Sequence, residues 1–373
     1  MIFKNAFVLN DDFEFKKEDL KVKNGVFSEI GNFEENGINS ENLYIIPGLV
    51  DIHIHGSAGH NCEDDNSIAL EKISEYLATV GTTSFLATFS SVSKEKLLKA
   101  SKRSVSAFEN GLSGANIAGI HMEGPYISKK YCGAMDLSQI RKPCKEEIDE
   151  ILDITGNALK IVSIAPEIDG AMEFIKNYND KFVISMGHTD SDYETGKQAI
   201  NCGATSVTHT FNAMRPLHHR NPNMIGAAFG SDIFMELICD GFHVHPEMVK
   251  TAYKLCGPER LVLITDSLSS AGVADGIYHE CGIEIFVKDG KAMMADGTIA
   301  GGTTPLFMCM KNLVSYGVPF NNAVKCASIN PARAARIDDK YGSITVGKSA
   351  DFLVLDSEFN LKSVYVRGEK IHG

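Results

Sequence analysis

The stretch IIPGLVDIHIH, residues 45–55, combines a run of apolar, mostly branched residues with two histidines that are separated by one position. Nearly continuous hydrophobicity of this kind predicts a strand that is buried on both faces, as in a parallel sheet. Alternate side chains of a strand point the same way, so His53 and His55 can face one metal ion. The stretch therefore predicts a buried strand that ends at a candidate metal site.

Seven further apolar runs follow along the chain, at residues 83–89, 116–123, 159–167, 181–188, 206–211, 233–240 and 261–266. Segments typical of helices, such as SIALEKISEYLATVG at residues 67–81, separate most of these runs. Strands that alternate with helices pair in parallel. Eight such units indicate an α/β fold, a closed (β/α)8 TIM-like barrel over residues 48–339.

The two ends of the chain have a different pattern, with short strands and turns and without helices. Near the start, IFKNAFVL (2–9) is followed by a hairpin signal at Asn24-Gly25. Near the end, YGSITVGK (341–348), ADFLVLD (350–356) and LKSVYVRGEKI (361–371) also indicate strands, with a turn at Arg367-Gly368. We expect residues 1–47 and 340–373 to form one small β-sandwich domain.

Almost every barrel run ends in a histidine or an acidic residue, and these are His53, His55, Glu123, His188, His209, Asp240 and Asp266. In a closed parallel barrel the carboxyl ends of all strands lie on one face, where the active sites of such barrels are found. We therefore expect side chains that are more than 200 positions apart in the sequence to meet at one rim.

The composition limits the possible partners and the compartment. A formal net charge of −12 argues against binding to nucleic acids or to anionic membranes. The nine cysteines include no CxxC pair, which is typical of reduced thiols in a cytosol rather than of a disulfide framework. The first residues lack the apolar core of a signal peptide. These features predict a cytoplasmic protein without a membrane-spanning segment.

Five motifs resemble the motif series of the amidohydrolase superfamily, and in particular that of the N-acetylglucosamine-6-phosphate deacetylases: PGLVDIHIHG (47–56), HMEGP (121–125), GHTDSD (187–192), THTFNAM (208–214) and LITDS (263–267). The resemblance covers nearly the whole chain. It implies a metal-dependent hydrolase that converts N-acetylglucosamine 6-phosphate to glucosamine 6-phosphate and acetate.

The resemblance also implies roles for the residues at the predicted rim. Glu123, His188 and His209 match the metal ligands of the family, and Asp266 matches its general base and acid. One Glu and two His form a ligand set typical of catalytic zinc, although iron and manganese are also compatible. His53 and His55 are present here and would complete a second site, so one or two ions per subunit are expected. The fourth run ends without the lysine that often bridges two ions, which leaves Glu123 as the bridging group.

The substrate-binding residues implied by the resemblance are Asn212 and Ala213 beside the sugar, Arg220 and His243 at the phosphate, and the loop Ile299, Ala300 and Gly301 near the sugar ring. The guanidinium of an arginine suits a phosphate because it donates two hydrogen bonds. We expect Asp240 to orient His243. We hypothesise that a neighbouring subunit completes the phosphate pocket in a homodimer or higher homo-oligomer.

The stretch Gly133-Ala134-Met135 matches a family stretch that touches substrate, but it departs from the family pattern at Met135, where relatives often have a histidine. Because methionine cannot donate a hydrogen bond, N-acetylgalactosamine 6-phosphate stays open as the substrate. Another amidohydrolase activity, on a cyclic amide or a nucleobase, is a further alternative. A non-catalytic interaction protein is disfavoured because the predicted ligand set is complete.

Overall fold

The computed structural model describes residues 1–280 and 282–373. In chain order, its strands are β1 (Ile2–Leu9), β2 (Phe15–Lys23), β3 (Val26–Gly31), β4 (Ile38–Asn39), β5 (Tyr44–Pro47), β6 (Leu49–Ile54), β7 (Gly56–Ser57), β8 (His60–Asn61), β9 (Thr82–Phe89), β10 (Asn116–Glu123), β11 (Leu159–Ile164), β12 (Val183–Met186), β13 (Ser206–Val207), β14 (Phe234–Ile238), β15 (Leu261–Ile264), β16 (Gly276–Glu280), β17 (Ile283–Lys288), β18 (Lys291–Met293), β19 (Ile299–Gly301), β20 (Phe352–Leu355), β21 (Leu361–Val366) and β22 (Glu369–His372).

The α-helices of these residues are α1 (Ala69–Thr79), α2 (Lys94–Asn110), α3 (Lys145–Thr155), α4 (Ala171–Tyr178), α5 (Tyr193–Cys202), α6 (Asn223–Phe229), α7 (Pro246–Cys256), α8 (Leu306–Ser315), α9 (Phe320–Ala327) and α10 (Ile329–Ala334). Several begin at side chains that accept a hydrogen bond from the first turn, such as Ser93 before α2 and Asp192 before α5. Each long helix buries one apolar stripe, as Leu70, Ile73 and Leu77 do in α1.

The eight strands β6 and β9 to β15 form a parallel sheet in sequence order, with helices between them. The sheet closes between its first and last strands, where the Asp266 amide donates to the His53 carbonyl at 2.9 Å and Ile54 pairs with Ser267. All eight predicted runs therefore contain a barrel strand, and the predicted TIM-like barrel is confirmed.

The apolar run at residues 45–55 contributes strands to two sheets rather than one. β5 belongs to the sheet of the chain ends, whereas β6 is the first barrel strand. Gly48 lies between them, and a Cβ at this position would come within 2.1 Å of the Thr83 hydroxyl oxygen. A glycine is required there because the backbone passes directly over its neighbour.

The interior of the barrel below the rim is apolar. One or two buried residues from seven strands pack with the segment after α9, and the cluster consists of Val50, Ile52, Leu86, Ala118, Ile161, Val183, Ile238, Val262, Ile264, Ala332, Ala334, Ala335, Ile337 and Tyr341. Leu263, between Val262 and Ile264, belongs instead to the cluster shared with the outer helices. This alternation is typical of a barrel strand, whose side chains point in and out in turn.

The two chain ends form one mostly antiparallel sheet in the order β22-β21-β20-β5-β1-β2-β3, with β4 beside β1. Its core contains Phe3, Phe27 and Phe352. Both predicted turns occur, since Asn24 and Gly25 have φ of 53° and 76° and Arg367 and Gly368 have φ of 50° and 75°. The predicted strand at residues 341–348 is wrong, because this segment forms turns; it buries Tyr341 against the barrel interior and Ile344 in the core of the terminal sheet.

A small antiparallel sheet, β16-β17-β18-β19, is inserted between the last barrel strand and α8. The sequence analysis did not predict it, although Asp289-Gly290 at the turn between β17 and β18 is a hairpin signal. Ile299, Ala300 and Gly301, which were expected in a loop, form its strand β19. In the described part of the chain, no helix is both long and apolar enough to cross a membrane.

Candidate active site

A cavity of about 470 Å³ lies at the carboxyl ends of the barrel strands. Among the residues that line it are most of those predicted from the sequence, namely His55, Glu123, Ala134, Met135, His188, His209, Asn212, Ala213, His243, Asp266, Ile299, Ala300 and Gly301. His53 is fully buried and in contact with Glu123. The fold thus brings these distant side chains together at one rim.

Glu123, His188 and His209 form a first candidate group for a metal ion. The Glu123 Oε1 atom lies 3.1 Å from His188 Nε2 and 2.8 Å from His209 Nε2, and the two histidine nitrogens are 3.0 Å apart. All three residues are buried, with exposed fractions of 4% or less. One carboxylate and two imidazoles are donors that suit zinc and related divalent ions.

A second group shares Glu123 with the first and consists of His53, His55, Glu123 and Asp266. His53 Nε2 lies 3.2 Å from Glu123 Oε1 and 3.3 Å from Asp266 Oδ1. His55 Nε2 lies 2.9 Å from Glu123 Oε2 and 3.3 Å from the same Asp266 oxygen. Because both groups contain Glu123, its two oxygens are placed to bridge two ions.

The hydrogen bonds on the outer ring nitrogens fit a bound cation. His188 Nδ1 donates to the Tyr131 carbonyl at 2.8 Å, and His53 Nδ1 donates to the Glu236 carboxylate at 3.0 Å. When these two rings are neutral, the Nε2 atom of each is a hydrogen-bond acceptor. Each Nε2 atom faces the carboxylate of Glu123, which is also an acceptor. Two acceptors at this distance repel each other unless a cation lies between them, so the residues present fit a divalent metal ion.

Electrostatics in the ion-free chain lead to the same conclusion. Burial lowers the pKa of His53, but the carboxylates of Glu123 and Asp266 outweigh it and raise the pKa well above its usual value. Burial likewise opposes the raised pKa of His55, which Asp266 and Glu123 bring to about 10. The carboxylates therefore hold positive charge at this position, either as protons or as a metal ion.

The backbone turns sharply beyond the carboxyl ends of the strands, at three of the residues that form the site. His188, His209 and Asp266 have φ values of 46°, 26° and 51°, in a region that residues with a Cβ rarely adopt. Such conformations cost about 1–3 kcal/mol each and are concentrated at functional sites. Close approach to Asp266 also requires glycine, since a Cβ on Gly301 would lie 2.8 Å from the Asp266 carbonyl oxygen.

The first barrel strand adds a local irregularity that turns both histidines inward. Its pairing with β9 shifts register between Asp51 and Ile54. Ile52 packs in the barrel interior and Ile54 packs against the outer helices. The neighbours Ile52 and His53 therefore both face the interior, which a regular two-residue alternation would not allow, and His55 lies on the same face as His53.

Asp240 and His243 form a pair at the edge of the cavity. His243 Nδ1 donates to Asp240 Oδ2 at 2.6 Å, and the Asp240 Oδ1 atom accepts from the amides of Phe242 and His243. Burial raises the pKa of Asp240, but the hydrogen bond and charge of His243 outweigh it, so the pKa is lowered. Asp240 therefore orients the ring of His243 as expected and leaves its other nitrogen for the cavity.

Arg220 is the predicted site residue that lies away from the cavity. Its guanidinium is exposed and contacts His219 Nε2 at 2.8 Å. It lines a separate surface depression together with Tyr193, Arg215 and Asn221. Within one chain, Arg220 is therefore not placed beside the other predicted substrate residues.

Met135 and Ala134 belong to a loop that covers one side of the cavity. The Met135 sulfur accepts a hydrogen bond from the Ser91 amide at 3.3 Å, and the Met135 amide donates to the Cys132 carbonyl at 3.1 Å. Both polar groups are engaged by the protein itself. Contact with a ligand at this position is therefore mainly apolar.

Two kinds of site residue were missed from the sequence. The cavity is also lined by Asn61 of β8, by Glu280 of the inserted sheet, and by Ser90, Ser91 and Lys130 in the segments that follow barrel strands. Glu236 lies below the cavity as a single acid within the apolar strand FMELI, which was the available signal. His121, by contrast, bonds Ile52 and Ser163 with its two ring nitrogens and packs against the ring of His53.

Comparisons with known proteins agree with this geometry. A model of the amidohydrolase family matches residues 44–371. The N-acetylglucosamine-6-phosphate deacetylase of Bacillus subtilis is 37% identical over 330 residues, which cover 87% of this chain and 83% of that protein. The N-acetylgalactosamine-6-phosphate deacetylase of Escherichia coli O157:H7 is 32% identical over 353 residues, 94% of this chain and 93% of that protein.

A solved structure also resembles this chain over its whole length. It is that of a mutant N-acetyl-D-glucosamine-6-phosphate deacetylase from Mycobacterium smegmatis in complex with N-acetyl-D-glucosamine-6-phosphate. Its TM-score against this chain is 0.94 at 31% identity, and the match covers 100% of this chain and 99% of that one.

Proposed function

The chain belongs to the amidohydrolase family, and from that premise we propose that it hydrolyses N-acetylglucosamine 6-phosphate to glucosamine 6-phosphate and acetate. The observation that carries the proposal is the convergence of Glu123, His188, His209, His53, His55 and Asp266 at the end of one cavity. The activity is that of the relatives named above, which match most of the chain.

The metal ions are proposed to be held by two overlapping sets, Glu123 with His188 and His209, and Glu123 with His53, His55 and Asp266. Zinc is the proposed metal and two ions per chain the proposed number, because all four histidines are present. A divalent ion bound there polarises a carbonyl oxygen and lowers the pKa of water from 15.7 toward about 7.

Asp266 is the proposed general base and acid. Burial raises its pKa, but His53 and His55 outweigh burial and lower it, so the carboxylate is ionised at neutral pH and can accept a proton. It takes the proton from the water that attacks the acetyl carbon. It then returns that proton to the sugar nitrogen as the carbon–nitrogen bond breaks, which gives a neutral amine and acetic acid. The acid passes its remaining proton to the amine or to solvent and leaves as acetate.

The sugar is proposed to bind against Asn212, Ala213 and the strand β19, with its phosphate near His243. Arg220 is proposed to reach the phosphate of a neighbouring copy in a homodimer, which its exposed position outside its own cavity supports. Full activity of a diluted monomer would contradict this part. A cytoplasmic location is part of the proposal, and the net charge of −12 favours a small substrate over nucleic acids or membranes.

A second candidate substrate is N-acetylgalactosamine 6-phosphate. It is favoured by the apolar side chain of Met135 in the cavity wall, the departure from the expected family pattern, and by the similarity to a deacetylase named for that sugar. The two sugars differ in the orientation of one hydroxyl. A pocket that bonds this hydroxyl would discriminate strongly against the epimer.

The experiment is a measurement of acetate released from both phosphorylated epimers, with metal analysis of the same sample. Unphosphorylated N-acetylglucosamine is the control substrate. We expect rapid release from the gluco epimer, slower release from the galacto epimer, and little from the control. Turnover of a cyclic amide or a nucleobase instead, with no acetate from either phosphorylated sugar, would overturn the proposal.

A further inference from the structure

Glu236 is a buried carboxylate that none of the proposed catalytic steps uses. It lies on the seventh barrel strand β14, with an exposed fraction of 0%. Its Oε2 atom accepts from His53 Nδ1 at 3.0 Å and from the His209 amide at 3.1 Å. Its Oε1 atom has no hydrogen-bond partner among the residues that the structure describes.

One carboxylate oxygen therefore touches both candidate ion groups from below. It holds the imidazole ring of His53, which belongs to the second group, and the peptide of His209, which belongs to the first. A proton on His53 Nδ1 leaves Nε2 as a lone pair that faces Glu123 and Asp266. A ring rotated by 180° would present a carbon there, and a ring protonated on Nε2 would present a donor, so neither could bind an ion.

Direct binding of an ion by Glu236 is the competing explanation, since His53, His121 and Glu236 also lie close enough to share one. The hydrogen bonds argue against it. His121 uses Nδ1 toward the Ile52 carbonyl and Nε2 toward the Ser163 hydroxyl. His53 turns the nitrogen that would be needed toward Glu236 itself, so this third group has no free ligand nitrogen.

We propose that Glu236 is a positioning residue that sets His53 with Nε2 toward the cavity and thereby makes the second ion site, next to His55, competent. The inference rests on the proposed metal-dependent function. It further states that the second ion depends on Glu236, while the first ion, held by Glu123, His188 and His209, depends on it much less.

The test is a titration of the metal-free protein with zinc against a competing chelator, which counts ions and measures both affinities. In Glu236→Gln one oxygen can still accept both hydrogen bonds, so we expect two ions and less than a tenfold loss at the weaker site. In Glu236→Met no acceptor remains. We expect one tight ion and a second site weakened by about 10–100-fold, the effect typical of losing such a partner.

Ser163→Ala is the matched control, because it removes the buried hydroxyl bonded to His121, a histidine outside the ligand sets. We expect it to bind two ions as the unaltered chain does. Should Glu236→Met not fold, Glu236→Asp takes its place, since the shorter acid withdraws its oxygen from His53 and should weaken the second site as well. Recovery of the second ion in Glu236→Gln is a result that a purely structural role would not give.

The failure of this inference and that of the proposed function are distinguishable. An unaltered chain that binds no ion would overturn the metal-dependent function itself. An unaltered chain with one ion, or a Glu236→Met protein that binds both ions as tightly as the unaltered chain, would overturn only the role of Glu236. Equal weakening of both sites would also overturn it, because it would indicate a general disturbance of the barrel.

Discussion

The two halves of the barrel interior are built from the same strands and have opposite chemistry. The lower half is an apolar cluster closed by residues 332–341. The upper half holds His53, Glu123, Glu236 and Asp266, all buried or nearly so. On β6 and β15 the two kinds of residue are a few positions apart, since Val50 and Ile52 precede His53, and Val262 and Ile264 precede Asp266.

The difference has an energetic consequence. Burial of apolar side chains in the lower half stabilises the fold, at about 25 cal/mol per Å². Burial of charged groups in the upper half opposes folding, by several kcal/mol per ion before pairing. The upper half is therefore expected to need a cation, whereas the lower half needs only close packing. Substitutions in the two halves should have different readouts.

The largest effect is expected for Asp266→Asn in the upper half. Because asparagine cannot accept or return a proton, turnover should fall by about 10²–10⁴-fold, the usual contribution of a general acid and base. The first ion should remain because Glu123, His188 and His209 are unchanged, and His53, His55 and Glu123 still offer three ligands to the second. Acetate release and metal content are measured together, with the exposed Asp12→Asn as control. Undiminished turnover would refute the acid and base role.

Ile161→Ala tests the lower half. Ile161 is fully buried in the apolar cluster, so the substitution leaves a cavity and should destabilise the protein by about 2–5 kcal/mol. Turnover per folded molecule and metal content should not change. Denaturant unfolding gives the free energy, and activity well below the transition gives the second quantity. An Ile161→Ala protein that keeps its full stability but loses metal would contradict the proposed division of the barrel into two halves.

Zinc affinity should depend on pH through the upper half. In the ion-free chain, burial lowers the pKa of His55 but Asp266 and Glu123 raise it to about 10, so the ring is protonated at neutral pH. An ion needs the neutral ring, so binding releases this proton. His53, in the same group, also has a raised pKa and releases a second proton. Affinity for the second ion should therefore fall about 10–100-fold for each unit by which the pH is lowered, over the range in which these rings are protonated.

The corresponding measurement is zinc affinity at pH 6.5, 7.5 and 8.5, with proton release followed by calorimetry in buffers of different ionisation enthalpy. The destabilisation by Ile161→Ala should be the same at all three values, because its neighbours do not titrate. Affinity that is constant over this range would show that the carboxylates do not hold protons in the ion-free chain.

The smallest effect is expected at the outer edge, for Arg220→Ala. If Arg220 reaches the phosphate bound to a neighbouring copy, its loss should raise KM for the phosphorylated sugar by about tenfold, as for a charged hydrogen bond of 1.5–3 kcal/mol that is partly exposed to water. KM for the unphosphorylated sugar should not change. The two values are compared with those of His219→Ala. Equal effects on both sugars would contradict the phosphate assignment.

The sequence predicted the barrel because periodicity is local: each buried strand is an apolar run, and each helix repeats its apolar positions. It predicted the meeting of Glu123, His188, His209 and Asp266 because the closure of a parallel barrel brings strand ends together whatever their spacing in the chain. Both terminal segments were also recognisable as β-structure, from their alternation and from the turns at Asn24 and Arg367.

The features that the sequence did not predict depend on contacts between distant segments, which no single stretch of sequence encodes. Glu236 is one polar residue in an apolar strand, and its role is evident only from its position beside His53 in the folded barrel. The inward turn of both His53 and Ile52 needs the register shift in β6. The segment at 341–348 has the composition of a strand, but it meets the edge of β3 only at its end, where Gly347 and Lys348 exchange backbone hydrogen bonds with Phe27. The position of Arg220 depends on loop geometry, which apolar periodicity does not describe.

The most direct test of the central claim is the anomalous diffraction of crystals grown with zinc, recorded above and below the zinc absorption edge. The account predicts a peak about 2.0–2.2 Å from Glu123 Oε1, His188 Nε2 and His209 Nε2. A second peak is predicted beside His53, His55 and Asp266. Zinc bound only elsewhere on the protein, with none between these side chains, would contradict the account.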